Sequence, residues 1–79
     1  MDKEQLEKLQ KVFEVLSRRF LTIRPIFGGQ EGWEEYHAMN KIHKKITKEK
    51  LSDARYRQNV VNFHRLLYAY EQKNPRKTN

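Results

Sequence analysis

The stretch TKEKLSDARYRQ, residues 47–58, decides the fold, because it either separates two helices or carries one straight through. It contains no Gly or Pro, so no residue in it forces a break. Ser52 or Asp53 is nevertheless of the type that caps a helix N-terminus, accepting a hydrogen bond from a free backbone N–H. Leu51 just before them is apolar enough to tuck under a bundle. A cap here gives three helices, and the alternative is one long helix from Thr47 onward.

Downstream, Tyr56, Val60, Phe63, Leu67 and Tyr70 recur at spacings of four and three, with Leu66 beside them. That is the apolar stripe of a helix over about 52–73. Upstream, Tyr36, Met39, Ile42, His43 and Ile46 share one side of a helix over about 33–46. Its other side carries Lys41, Lys44, Lys45 and Lys48. Earlier still, Leu6, Leu9, Phe13, Leu16, Phe20 and Ile23 form the seam of a helix over about 3–23, which Val12 is expected to widen. Glu4/Lys8, Glu7/Lys11 and Glu14/Arg18 place acid four residues before base, an arrangement for a solvated helix surface. The expected fold is an all-α three-helix bundle. Residues 1–73 form its single domain, and 74–79, including Arg76 and Lys77, form a basic, flexible tail.

The corner between the first two helices reads IRPIFGGQEGW, residues 23–33, and holds all three glycines and one of the two prolines. Pro25 disfavours helical angles in the residue before it, and Gly28 and Gly29 allow a sharp turn. Ile26 and Phe27 are expected to fold back under the bundle, and Gly32 to cap the second helix. The segment also contains GQEG, the GxxG form with which KH domains hold a nucleic-acid backbone. That motif needs a surrounding sheet, and no strand alternation accompanies it here. Neither a P-loop nor a dinucleotide fingerprint is present. The loop reads as a structural corner.

A chain of 79 residues buries only about 60% of its unfolded surface, and such a fold is stable by roughly 4–12 kcal/mol. The absence of cysteine excludes disulfides and thiolate zinc sites, and fits a cytoplasmic protein. No apolar run is long enough to span a bilayer, and MDKEQLEKLQ does not read as a signal peptide. A role at the bilayer surface would take Met39, Ile42 and Ile46 out of the core, so no membrane partner is expected. His37 and His43 are six apart and point in different directions on a helix, and His64 flanks the core stripe of the third. No HExxH motif and no nucleophile–base pair stands out. No catalytic residue, metal or cofactor is therefore expected.

Charge is the strongest signal. Residues 1–35 carry six Lys/Arg against seven Asp/Glu, a net of −1, and residues 36–79 carry eleven against three, a net of +8. Lys41, Lys44, Lys45 and Lys48 make one stripe without an interleaved acid. Arg55, Arg57, Arg65, Lys73, Arg76 and Lys77 add to the same half. The pattern points to nucleic acid or a nucleoprotein, met by phosphate attraction with little sequence preference. Its plainer reading is an ordinary solvated face.

Arg55, Arg57, Gln58 and Asn59 are also of types that read base edges, as a helix-turn-helix would require. The usual turn glycine is missing, and Glu49 would fall where a core residue belongs. The rival to nucleic-acid binding is a protein-interaction module or inhibitor that docks on an acidic partner, or on a groove of a larger machine that binds nucleic acid. Mobile-element regulators and inhibitors of host machinery share this size and composition, which is analogy only. Its anchors would be Val61 and Tyr68 on the third helix, Val15 and Leu21 on the first, and Phe27 and Trp33 at the corner. In a bundle, Val61 and Tyr68 would alternatively be buried against the first helix. The spare apolar residues also admit a homodimer.

Overall fold

The computed structural model describes residues 2–23 and 31–74. It contains helices α1 (Lys3–Leu21), α2 (Trp33–Lys48) and α3 (Asp53–Lys73). The break between α2 and α3 is real, so the single-helix alternative is excluded. Glu49 leaves helical geometry at φ −107° and ψ 148°, and Ser52 caps α3 by accepting a hydrogen bond from the Arg55 N–H at 3.3 Å. The Ser52 hydroxyl stops what propensity alone would continue. Leu51 in the turn is half-buried.

The other ends follow the same logic. Asp2 caps α1 through the Gln5 N–H at 2.8 Å. The helix closes at Leu21, two residues before the expected Ile23. There the Thr22 and Ile23 N–H groups bond Arg19 and Phe20 in a tightened last turn. Gly32 caps α2 in the left-handed region, at φ 87°. A Cβ on Gly32 would stand 2.9 Å from both the Tyr70 ring and the Asn74 amide, so glycine is required there for shape and for space. Pro25, Ile26, Phe27, Gly28 and Gly29 lie outside the described residues.

End-to-end contacts fix the topology. The Lys73 ammonium donates to Glu35 at 2.7 Å, joining the end of α3 to the start of α2, and the Asn74 amide donates to the Glu31 carbonyl. With a short turn at the opposite end, α2 and α3 run antiparallel. Arg19 binds Glu71 through both Nε and Nη2, which joins the end of α1 to the end of α3. Helix α1 is therefore parallel to α3, in an up-down-up bundle.

The core is Leu16 and Phe20 from α1, Met39 from α2, and Val60, Phe63, Leu67 and Tyr70 from α3. Each lies on the stripe its spacing predicts. Phe63 is wholly buried and meets Phe13 and Phe20 edge-on, with centroids 5.7 and 5.4 Å apart. Such pairs add about 0.5–1.5 kcal/mol beyond burial. Val12 does not widen the α1 seam as expected, for it is 48% exposed. It sits at the edge of the apolar arc, and neither neighbouring helix reaches over it. Two of the three expected ion pairs on α1 form, Glu4–Lys8 at 3.9 Å and Glu14–Arg18 at 2.9 Å. Glu7–Lys11 is not among the ion pairs of the described residues.

Candidate polyanion-binding face

Helix α2 turns Met39 fully inward, with Tyr36, Ile42 and Ile46 packed beside it. The helical period then directs Lys41, Lys44, Lys45 and Lys48 to solvent, and all four are exposed. The stripe from Lys41 to Lys48 is about 10 Å long at the usual rise per residue. Among the described residues none of the four has an ion pair. Lys45 and Lys48 occupy the last turn of α2, where cations offset the helix dipole, so stabilisation of the helix accounts for those two. Lys41 and Lys44 lie before that turn, and the dipole does not account for them.

The remaining basic residues do not join this stripe as one surface. Arg55 is exposed in the first turn of α3, across the four-residue turn from Lys48. Arg57 lies on the far flank of α3, where it lines a groove with Gln5, Lys8, Leu9 and Val12 of α1. Arg65 is exposed in the second half of α3. Lys73 is committed to Glu35, and that hydrogen bond, with the neighbouring carboxylates, raises its pKa above the ordinary lysine value. Arg76 and Lys77 lie outside the described residues.

The apolar candidates also divide. Val15 is 55% exposed, Tyr68 is 61% exposed, and Val61 is half-buried. Packing against α1 therefore does not bury Tyr68. Leu21 is 59% exposed but six residues beyond Val15, which turns it to another side of α1. Trp33 stacks on Tyr36 at 5.8 Å and meets His37 edge-on at 4.6 Å, closing the start of α2. Phe27 lies outside the described residues.

One polar contact escaped the sequence reading. The Ser17 hydroxyl and His43 Nε2 are 2.7 Å apart across the α1–α2 interface, half-buried, with the donor set by the histidine tautomer. The His43 ring sits among Phe13, Phe20 and Phe63, at 5.8, 5.4 and 6.1 Å. Burial lowers its pKa below the ordinary 6.5, so the neutral ring is favoured. A serine beside a neutral imidazole has the composition of a nucleophile and base. Here the hydroxyl satisfies a ring nitrogen of a half-buried histidine. The only sequence signal was His43 within the apolar arc of its helix; Ser17 is 26 residues away. Among the described residues no three His, Cys, Asp or Glu side chains gather to hold a metal ion.

The helix-turn-helix reading does not survive the geometry. That motif needs its two helices to cross steeply, whereas α2 and α3 lie side by side as an antiparallel hairpin. Of its supposed base readers, Asn59 donates to the Arg55 carbonyl at 2.7 Å and Gln58 to Asn62 at 3.1 Å. The chain matches no protein-family model, no curated protein and no solved structure.

Proposed function

We propose that this protein is a non-enzymatic accessory or regulatory factor that binds nucleic acid, or a nucleoprotein, through the lysine face of α2. The observation that supports the reading is the contrast in pairing. Lys8, Arg18, Arg19 and Lys73 each have a carboxylate partner, whereas Lys41, Lys44, Lys45 and Lys48 have none among the described residues. Unpaired ammonium groups at helical spacing retain their full field and can each approach a phosphate. Binding then gains from the release of counterions, carries little sequence preference and weakens with salt. Arg55, exposed in the first turn of α3, and the basic tail add charge to the same half of the chain. Such a role belongs to the cytoplasm, which suits a cysteine-free chain. No helix among the described residues is long and apolar enough to cross a membrane.

The test is fluorescence anisotropy with labelled duplex DNA and single-stranded RNA, comparing the native chain with a variant in which Lys41, Lys44, Lys45 and Lys48 are all Gln. The native chain should bind both, and the variant should keep its helical circular dichroism while losing binding. Equal binding by the two would refute the assignment of the face.

A further inference from the structure

On the side of the bundle away from α2, helices α1 and α3 leave an apolar seam uncovered. His43 of α2 touches Phe13 and Phe20 of α1 and Phe63 of α3, so α2 fills the inner groove between the two parallel helices. The outer groove has no such filler among the described residues. Val12 and Tyr68 lie along it, two of the four large exposed hydrophobic side chains of the described residues. Exposed apolar side chains beside surface depressions suit a contact surface.

The seam carries two depressions. One, of about 360 Å³, is lined by Leu9 and Val12 with Lys8 and Arg57 at its edge; the other, of about 50 Å³, lies between Leu16, Arg19, His64, Leu67 and Tyr68. Leu9 and Leu16 are seven residues apart, as are Arg57 and His64, so the depressions stand about 10 Å apart along the helices. An incoming α-helix repeats its contact side chains at that interval, at positions i and i+7.

Charge selects the occupant. Arg57 has no ion pair among the described residues and presents a guanidinium fork beside an apolar floor. Lys8 is paired with Glu4 at 3.9 Å, so the unpaired cation at this end is Arg57. At the other end Arg19 is already neutralised by Glu71. The open end of the seam is therefore positive and the far end balanced. A second copy of this chain would bring Arg57 against the seam of another molecule of net charge +7.

We infer that the outer α1–α3 seam docks one amphipathic helix of an acidic protein partner, with apolar side chains at i and i+7 in the two depressions and a carboxylate on Arg57. The surface is separate from the lysine face of α2, so the protein can hold a polyanion on one side and an acidic protein on the other. The two readings fail independently.

The test is selection from a displayed library of amphipathic helices about 15 residues long. Their apolar stripe is fixed, and every flanking position is randomised among Glu, Gln and Lys. Enrichment of Glu at positions flanking one end of the stripe is expected. The selected peptides should lose at least tenfold in affinity for Arg57→Glu and for Val12→Asp. They should bind the fourfold lysine-to-glutamine variant of α2 undiminished. Tyr68→Ala provides a milder substitution should Val12→Asp lower helical content. Failure to enrich any helix, enrichment without acid, or binding indifferent to Arg57 and Tyr68 would overturn the inference. So would sedimentation showing that the chain dimerises through Val12 and Tyr68.

Discussion

Helices α1 and α2 are both amphipathic and rich in charge, yet they present opposite kinds of surface. On α1, Glu4 and Glu14 hold Lys8 and Arg18 one turn away, and the helix leaves little net field. On α2 the acids are confined to the first turn at Glu34 and Glu35, and Glu35 is engaged with Lys73 from another helix. The lysines that follow face water with no counter-charge among the described residues. The number of cations on a helix thus says less than where its carboxylates sit. Interleaved, they make a solvated face; set apart, they leave a field that a polyanion can use.

The largest effect should come from removing what holds both surfaces in place. Phe63→Ala empties the centre of the core and should cost about 3–5 kcal/mol, much of the stability of so small a domain. Thermal circular dichroism should show the cooperative transition lowered steeply or lost, and both surfaces with it. Changing Lys41, Lys44, Lys45 and Lys48 to Gln should reduce affinity for duplex DNA at low salt by about two orders of magnitude, while shifting stability by no more than about 0.5 kcal/mol. Changing the paired Lys8 and Arg18 of α1 in the same way should alter that affinity far less. Equal losses from the two helices would mean that net charge, not its pairing, governs binding.

Gly32→Ala disturbs only the start of α2. The left-handed angle and the 2.9 Å approach to Tyr70 and Asn74 should together cost about 1–3 kcal/mol in chemical denaturation, with binding by the still-folded protein retained. A smaller effect follows from pH. Because burial lowers the His43 pKa, the unfolded chain takes up the proton first, and stability falls as pH drops below 6.5. That contribution is complete above 6.5 and absent from His43→Gln in a pH series of unfolding curves. Smallest of all, Glu14→Gln should cost about 0.3–0.5 kcal/mol, as the exposed pair with Arg18 is disrupted.

The seven buried residues were legible because helical periodicity reports directly which side of a helix faces inward. Periodicity does not report how far a neighbouring helix reaches across the edge of that side. Val12 lies at such an edge, and its exposure depends on how α1 and α3 are set against each other. The same holds for Val61 and Tyr68, whose burial against α1 was an open alternative. The lysine stripe was equally visible, since exposure on α2 follows from its apolar side. Its lack of partners was visible only within the helix, for local spacing says nothing of a carboxylate on another element. Arg19–Glu71 and Lys73–Glu35 are 52 and 38 residues apart, and Ser17 reaches His43 only because the helices meet. These contacts belong to topology, and they remove Lys73 from the free cations that the sequence had counted.

Phosphate binding is here assigned to four unpaired lysines on α2. Its most direct measurement is the salt dependence of affinity for duplex DNA between about 50 and 200 mM, where each phosphate contact contributes about −0.9 to the slope of log K against log salt. Four contacts give a slope of about −3.6 and roughly a hundredfold weakening over that range, and both should vanish in the fourfold glutamine variant. No binding at the low end of the range, or a slope unchanged by the four substitutions, would contradict the account.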